Sequence, residues 1–493
     1  MKKISIIIVA ASMTFQCIIA QNVDDALRYS QIFYTGTARF MSMSGAFTAL
    51  GGDLSTLSQN PAGLGVYRSA EITVSPQLFH INNKASFNGH SEDYLYNFNL
   101  GQAGIVTNLI SGKNKTGLIA LNFGYSFNKT NNLHTSVRIQ GTGTTSSMAD
   151  SWADASYGTH YTDLSGAAGI AYDAWIIDTI TFTGAKTFGT VFSNYGDNLT
   201  SEYGQNIGRF ITNDGWTGEH AISIGGNYSD KFFFGATFGI NTLKYTGYYE
   251  HLEDADYFLD SGFKNFNYTE YFTNHATGIS FKLGTIIKPT ESLRIGLAFH
   301  APTIYWIDEY YYDNISSNFT DNAHYEFEND PNVYSYSLTT PFRFLAGLAY
   351  QVKKIGIISF DYEFVDYGSA KFSETGDNYN YSEKNAEIRN SLRGTSNIRV
   401  GGELRLDKFY LRGGYGYYGA AFKTGELNEN MDYSSFSAGA GFREQSISID
   451  FGYVNLSNTQ NYILYNTYSE SAIANLSTSR NIFTVTMGFK FHY

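Results

Sequence analysis

The strongest constraint on this fold is a stretch of about ten residues that recurs from residue 70 onward and alternates apolar with polar or small side chains. Such alternation is typical of a strand with one apolar face. In 117–127 the apolar face carries Ile119, Leu121, Phe123, Tyr125 and Phe127. We count about fourteen such stretches, centred near residues 75, 104, 122, 223, 238, 282, 298, 345, 360, 400, 414, 438, 451 and 487.

The connections between these strands alternate strictly between short and long. The long connections cover about 80–96, 130–216, 247–274, 306–335, 366–394, 420–432 and 457–479. Outer-membrane barrels sort their connections in this way, with short periplasmic turns and long external loops. The sequence therefore predicts an all-β fold, an antiparallel transmembrane β-barrel of about fourteen strands over 70–493. A soluble β-propeller is the alternative, but we find no blade-length repeat.

Residues 1–20 read as a signal peptide, with Lys2 and Lys3 before an apolar stretch and Ala20 at a cleavage site. The single cysteine, Cys17, lies within this segment, so the mature chain would have no thiol. The net charge is -12 and no long basic run is present, which argues against a nucleic-acid partner. Together with the barrel pattern and the aromatic terminus at Tyr493, these features predict the outer membrane of a Gram-negative bacterium, with its lipid as a neighbour.

Residues 21–69 do not alternate. Val23 to Gln31 fits a short helix, and 37–64 is rich in small residues with only Arg39 and Asp53 charged. A free tail would be more polar, and a fourteen-stranded barrel is wide enough to enclose a segment. We therefore predict that 21–69 is a hatch that plugs the lumen.

The longest predicted loop, 130–216, contains an apolar stretch from Leu164 to Ile180. Three interpretations stay open for it: a helix that caps the mouth, an apolar landing site for a ligand, and plain packing within the loop. The acidic stretch 307–331 has oxygen ligands for calcium but lacks EF-type spacing, so a solvated loop is the preferred interpretation.

The hatch sequence carries a resemblance. The run Gly51-Gly52-Asp53-Leu54-Ser55-Thr56-Leu57-Ser58-Gln59-Asn60-Pro61-Ala62-Gly63-Leu64 closely resembles the hatch of the FadL/TodX family of outer-membrane transporters for long-chain fatty acids and monoaromatic hydrocarbons. The signal, hatch, strand number and aromatic terminus extend the resemblance over the whole chain. It implies a ligand pocket inside the barrel, a hatch that gates it, and sideways release into the membrane.

The element Asn60, Pro61, Ala62 and Gly63 has two interpretations. Asn before Pro favours a turn, Pro61 fixes its own φ, and Gly63 permits a left-handed backbone, so a rigid turn before the first strand is expected. The functional hypothesis is a latch whose shift opens the lumen.

If the apolar faces meet lipid, charged residues on the strands face the lumen, because Arg or Lys facing lipid at the midplane costs about 2–4 kcal/mol. The candidate ligand-binding residues are Arg294, Arg343, Arg399 and Arg412. One hypothesis is that one or two of them grip a carboxylate head group. The other is that they pair with Asp361, Glu363, Glu403 and the hatch.

The resemblance also implies a kinked third strand beside the exit. In this chain the third strand carries Gly117 and Gly124, which are the candidates for such a kink.

No Gly-x-Ser-x-Gly elbow and no His/Cys zinc spacing is present, so we expect no catalytic residue, no metal, no cofactor and no enzyme activity. The sequence and the resemblance together predict a passive transporter of a hydrophobic small molecule, with long-chain fatty acids as the leading candidate. The alternative is a non-transporting barrel subunit or scaffold, whose partner would be a protein of an outer-membrane secretion or assembly complex.

Overall fold

The computed structural model describes residues 22–111, 116–182, 185–193, 202–257, 259, 261–376 and 379–491. Over these residues the chain forms a closed antiparallel barrel of fourteen strands with the N-terminal segment in its lumen, as predicted. The predicted signal peptide, 1–20, and the terminal Tyr493 lie outside the described residues. None of the described helices is long and apolar enough to span a membrane.

The strands are numbered in chain order. They are β1 (Ala70–Ser86), β2 (His90–Ser111), β3 (Leu118–Asn132), β4 (Thr135–Gly141), β5 (Ile177–Phe182), β6 (Ala185–Thr190), β7 (Asn206–Tyr228), β8 (Phe232–Asp254), β9 (Phe263–Ile287), β10 (Leu293–His300), β11 (Ile304–Phe319), β12 (His324–Glu328), β13 (Asn332–Thr339), β14 (Arg343–Val352), β15 (Gly356–Asp366), β16 (Lys371–Glu374), β17 (Gly394–Leu406), β18 (Phe409–Tyr418), β19 (Tyr433–Glu444), β20 (Ile447–Asn466) and β21 (Ser471–Phe491).

The described helices are α1 (Val23–Ser30), α2 (Ala38–Met41), α3 (Met148–Ala155), α4 (Gly166–Asp173) and α5 (Ser382–Ser391). Four short 3-10 helices cover Leu54–Ser58, Pro61–Val66, Tyr161–Asp163 and Tyr367–Ser369.

Several barrel strands are interrupted. β4 continues β3 beside β7, β11 continues β10, β14 continues β13, and β16 continues β15. The barrel closes where β1 pairs with β21, from Ala70 opposite Phe491 to Ser86 opposite Asn475. This closure leaves no open sheet edge between the first and last strands, as a hydrocarbon environment requires. All fourteen predicted strand centres lie within barrel strands.

The outer surface carries the apolar face of the strands. Phe451 on β20 is 57% exposed and Met487 on β21 is 44% exposed, whereas Asp450 and Thr486 beside them are buried in the lumen. One predicted position is wrong: Ile119 is buried and Leu118 is exposed instead. The cause is a register shift between Leu118 and Ala120 against β7. A shift by one residue moves the side chains on its turn-end side to the opposite face of the strand.

The strands run far beyond the predicted limits, so most of the predicted long loops are strand. The predicted loop 80–96 is a β1–β2 hairpin, and 247–274 and 457–479 are largely the paired ends of β8, β9, β20 and β21. Short turns remain at the opposite end, for example at 229–231 and 445–446. The parts of the strands above the membrane were not predicted, because both of their faces meet polar surroundings and the alternation of apolar and polar residues is weaker there.

The predicted loop 130–216 holds β4, α3, α4 and the β5–β6 hairpin over the loop end of the barrel. Helix α4 forms within the apolar stretch 164–180, and its Ile170 and Ala171 are buried. They pack with Met148 and Trp152 of α3 and with Phe266 of β9 in one apolar cluster. The apolar stretch is thus a packed part of this cap.

The hatch, residues 22–69, lies inside the barrel. α1 sits at the loop end, where Tyr29 packs edge-on against Tyr245 of β8. α2 lies against the wall further down, where Ala38 N donates to Thr486 Oγ1 of β21 at 2.7 Å. The chain leaves the lumen at the turn end and enters β1 at Ala70.

Candidate functional site

The candidate site is the space between the hatch and the barrel wall. The hatch can approach the wall closely because ten wall strands place a glycine against it. In each case a Cβ would lie within van der Waals range of a hatch atom, often in collision with it. These residues, which we call the glycine belt, are Gly124, Gly225, Gly235, Gly284, Gly296, Gly347, Gly401, Gly414, Gly439 and Gly452.

The belt is continuous over parts of the wall. Gly225, Gly235 and Gly284 stand directly opposite one another on β7, β8 and β9. On β15 the belt is interrupted by Asp361, which stands opposite Gly347. Its Oδ2 accepts hydrogen bonds from Thr48 N at 2.9 Å and from Thr48 Oγ1 at 2.7 Å. The wall therefore holds the hatch both by shape and by hydrogen bonds.

Asn60 is fully buried at the centre of this contact. Its Oδ1 accepts from Ala62 N at 3.1 Å, which forms the turn expected before Pro61. Its Nδ2 donates to Thr48 O of the hatch at 2.6 Å and to Thr285 O of β9 at 3.2 Å. Asn60 thus ties two parts of the hatch to the wall through one side chain.

The rest of the predicted element continues this contact. Pro61, Ala62 and Gly63 lie in a 3-10 helix that begins at Pro61, with Asn60 as its N-cap. A side chain on Gly235 would collide with the Pro61 carbonyl oxygen, and one on Gly63 would collide with Thr56. The turn is present, and the latch hypothesis for these residues stays a prediction.

The four predicted arginines all have polar partners in the described structure. Arg343 and Arg399 share Glu363, with 2.8 Å between Arg399 Nη1 and Glu363 Oε2. Arg343 also donates to Ser30 O of the hatch. Buried ions of opposite charge satisfy one another here, and removing one partner would leave the other uncompensated.

The remaining two predicted arginines lie nearer the turn end. Arg412 Nε lies 2.7 Å from Glu403 Oε2, and its Nη1 lies 2.6 Å from Asp450 Oδ1. The hatch joins this group, because Arg39 Nε lies 2.9 Å from the same Glu403 oxygen. Arg294 Nη1 donates to Leu50 O of the hatch at 2.6 Å. A ligand role for the four arginines stays a prediction.

An apolar cavity lies between the hatch and the wall, with about 550 Å³ of empty space including its mouth. Its apolar lining comes from the hatch and from β1, β20 and β21, and includes Phe33, Met41, Phe79, Val454, Leu456 and Ile482. An apolar lining with a few polar groups is the usual character of a small-molecule site.

One arginine lines this cavity, and the sequence analysis missed it. Arg480 of β21 lies over the Tyr433 ring at 5.9 Å, with no hydrogen bond or ion pair to another described residue. It stands at the edge of the predicted loop 457–479, where the alternation was not yet clear. The even-numbered residues of β21, such as Thr484 and Thr486, face the lumen, and this alternation could have indicated that Arg480 does so too.

A second cavity is lined by hatch residues 29–32 and by several charged or titratable side chains of the wall. Lys282 and His300 line it together with Arg343. Lys282 is paired with Glu219, and His300 Nε2 donates to Gln59 O at 2.7 Å. Hatch residues 29–35 therefore line both an apolar cavity and one that has several charged or titratable side chains in its wall.

The wall has a break beside the apolar cavity. β2 and β3 pair only from Gln102 opposite Asn128 to Ser111 opposite Ala120, so 90–101 of β2 has no partner on β3. We call this break the seam. The hatch lies in it: Phe33 N donates to Thr130 O at 2.9 Å, and Thr35 Oγ1 donates to Lys129 O at 2.7 Å.

The two glycines predicted to mark a kink have other roles in the described structure. Gly117 lies in the turn before β3 with φ of +84°. Gly124 is paired on both sides, and its missing side chain leaves room for Leu57 and Leu64 of the hatch. The register shifts of β3 against β7 lie between Leu118 and Ala120 and between Lys129 and Asn131. A functional kink at either glycine stays a prediction.

Comparison with solved structures identifies the fold. The chain is similar to a FadL homologue of Pseudomonas aeruginosa, with a TM-score of 0.55 and 13% identity over 94% of this chain and 100% of the other. It is also similar to the toluene transporter TodX of P. putida, with a TM-score of 0.51 and 12% identity over 94% and 100% of the two chains. A third match is the monoaromatic hydrocarbon channel CymD, with a TM-score of 0.50 and 11% identity over 94% and 99%.

At these identities the likeness shows the fold, which is the predicted one. No known family profile matches the sequence, and no curated protein matches it. Within the described residues no group of three or more potential metal-ligating side chains comes together. The expected lack of a metal, of a cofactor and of catalysis stays a prediction.

Proposed function

We propose that this chain is an outer-membrane passive transporter of hydrophobic small molecules, with long-chain fatty acids as its leading substrates. The observation that carries the proposal is the apolar cavity with Arg480 in its wall. The transfer of an apolar tail from water to this lining is favourable, because apolar surface leaves water. A carboxylate would be stabilised by the Arg480 guanidinium, which makes no hydrogen bond or ion pair with a described residue, because an Arg can donate two parallel hydrogen bonds to a carboxylate.

The proposed route leads from the cavity to the seam. Phe33 and Thr35 of the hatch line the cavity and also bond to β3 within the seam. A shift of this hatch segment would open the cavity sideways through the seam, whose lower end lies at the border of the lipid-facing surface. Sideways release suits a hydrophobic solute, because entry into the aqueous periplasm would be unfavourable. The similar structures, a FadL homologue, a toluene transporter and a monoaromatic hydrocarbon channel, support the same class of cargo.

The test compares an acid with a neutral analogue of the same tail. Binding of oleate and of oleyl alcohol is measured on the purified protein by calorimetry. We expect Arg480→Met to weaken oleate binding by about 10- to 100-fold, the usual worth of hydrogen bonds to a charged group, and to leave oleyl alcohol unchanged. Arg405→Met is the control, because Arg405 is exposed and donates to Asp407 O in a turn. Equal loss for both ligands, or no loss for oleate, would contradict the role of Arg480.

The scaffold alternative is separated by native mass spectrometry of the protein from its own outer membrane. A retained small apolar ligand supports transport. A stoichiometric protein partner without such a ligand would replace our proposal with the scaffold function.

A further inference from the structure

The outward face of the wall carries a group of cations where the seam begins. Lys129 is the last residue of β3 before its register shift at Thr130, and it stands opposite Gly218 of β7. Trp216 lies one outward position above Gly218, and Lys244 of β8 stands directly opposite Trp216. We call Lys129, Trp216 and Lys244 the rim group.

The rim group lies at the upper border of the lipid-facing surface. The row of residues that contains Lys129 continues through Thr242 and Thr277 to Trp306, which is 48% exposed. Exposed tryptophan is typical of the interface between hydrocarbon and head groups. Two strand positions below Trp306 comes Ile304, and further down β9 the outward residues are Phe281 and Leu283. The rim group therefore faces the head groups of the outer leaflet.

Lys129 is an unusual member of this surface. Only 4% of the residue is exposed, yet its ammonium has no hydrogen bond or ion pair with another described residue. Its Nζ lies 5.8 Å from the centroid of the Trp216 ring. The charge of Asp214 acts on Lys129 without forming an ion pair with it. A further negative group from outside the chain would therefore stabilise this nearly buried ammonium.

The charges around Lys129 leave the rim group positive. The one carboxylate nearby, Asp214, lies 3.3 Å from His134 Nδ1 and is 67% exposed. Lys244 is exposed and has no ion pair among the described residues. The next outward residues in its row are His275 and Asp308. Two lysines thus face the head-group layer with a single carboxylate close to them.

An apolar column runs down the wall from the rim group. The Phe127 ring packs against Trp216 at 5.8 Å and against His220 at 5.1 Å. Below them Tyr125 is 38% exposed and Ile222 is 39% exposed. The column and the rim group together have the polarity of an anionic lipid, with an apolar strip under a cationic head site.

We propose that the rim group binds an anionic, phosphate-bearing lipid of the outer leaflet, with a phosphate at Lys129 and Lys244 and an acyl chain along Phe127 and Tyr125. Ammonium groups bind phosphate as point charges, and each basic residue near a membrane surface attracts anionic lipid. The bound lipid would stand at the start of the seam. This inference does not depend on the cargo of the barrel.

The test is native mass spectrometry of the full chain in detergent, titrated with phosphatidylglycerol or with phosphatidylcholine of the same acyl chains. We expect the protein to retain phosphatidylglycerol preferentially. Lys129→Met keeps the apolar stem and removes the charge, and it should reduce that preference about fivefold, as should Lys244→Met. Lys84→Met is the matched control, because Lys84 is an exposed outward lysine of β1 with only a 4.0 Å contact to Glu92.

Three results would overturn the proposal. The first is equal retention of the two lipids, and the second is an equal effect of Lys84→Met and the rim variants. The third is one-for-one displacement of phosphatidylglycerol by oleate, which would make the rim a site for fatty acids. Because Lys244 is exposed, Lys244→Met keeps the test decisive even if Lys129→Met fails to fold.

Discussion

At the scale of single residues, the hatch is held in place both by close contact with glycines of the wall and by side-chain hydrogen bonds. Gly284 of β9 faces Asn60, and a methyl group at 284 would overlap Asn60 Oδ1. Asn60 cannot move away freely, because its amide is hydrogen-bonded to Thr48 O and Thr285 O. The pair therefore behaves as one unit, in which the glycine makes room and the asparagine fills it.

This pairing predicts a specific non-additivity. Gly284→Ala should destabilise the barrel by about 1–3 kcal/mol through overpacking, and Asn60→Ala should cost a similar amount by leaving buried carbonyls unsatisfied. The double variant should be less destabilised than the sum, because the shortened side chain at position 60 no longer meets the new methyl group. The measurement is the temperature at which the folded barrel loses its compact mobility in gel electrophoresis.

The control for this cycle is Gly402→Ala on β17, where the nearest non-neighbouring atom is Ile357 O at 3.8 Å from the added carbon. It should have little effect and should add independently to Asn60→Ala. Additive losses for Gly284→Ala and Asn60→Ala would show that the contact does not matter for stability.

At the scale of elements, α3 is fixed to the cap by one carboxylate. Asp150 Oδ2 accepts from Ser147 N at 2.8 Å, and Oδ1 accepts from Tyr203 OH at 2.9 Å and from Thr190 Oγ1 at 3.3 Å. Burial raises the pKa of Asp150 to about 6, and the negative charge of Glu253 adds to the rise. The packed cap therefore holds a proton at Asp150 more tightly than an opened cap does.

The sign of the pH dependence follows from this. Stability gained from the proton is present below the ordinary aspartate pKa near 3.8, and it is lost as the pH rises through about 6. A shift of this size is worth at most about 3 kcal/mol. We expect the protection of α3 against amide hydrogen exchange, corrected for intrinsic rates, to fall between pH 5 and pH 7.

Asp150→Asn should abolish this pH dependence because the side chain no longer titrates. Asp163→Asn, at an exposed position of the same cap, should keep it. If the Asp150→Asn protein still loses protection over the same interval, another group controls the opening of α3.

The sequence predicted the elements unevenly, for physical reasons. Within the membrane, lipid outside and polar side chains inside impose a strict alternation, as at Phe451 and Asp450, and all fourteen strands could be located. Above the membrane this contrast fades. Tyr310, Tyr311 and Tyr312 of β11 are all partly buried, so no period marks them as strand.

The site was predicted less completely, because it depends on which strands become neighbours. The alternation of side chains along each strand predicted that Arg343, Arg399 and Arg412 face the lumen. Their ion pairs with Glu363 and Glu403 could not be predicted, because the stagger of the closed barrel decides which residues become neighbours. The same alternation along β21 also indicated that Arg480 faces the lumen. The glycine belt could not be distinguished from the many other glycines until the hatch was in place.

At the scale of the whole molecule, the question is whether the hatch must move for cargo to pass. The hatch touches the wall at Ser44, whose Oγ lies 2.8 Å from Ser437 Oγ of β19. Ser44 also lines the apolar cavity. No cysteine occurs among the described residues, so a pair of cysteines placed there would form a single, reversible cross-link.

We expect the oxidised Ser44→Cys/Ser437→Cys protein to lose oleate uptake in cells that have no other fatty-acid transporter, and dithiothreitol to restore it. The matched control is Ser434→Cys/Ser457→Cys, which links two wall strands whose hydroxyl oxygens lie 3.3 Å apart and leaves the hatch free. Its uptake should not change on oxidation. Uptake that continues with the hatch locked would mean that cargo passes a fixed hatch, and the cavity and the seam would then form an open path. Loss in both proteins would place the required motion in the wall itself.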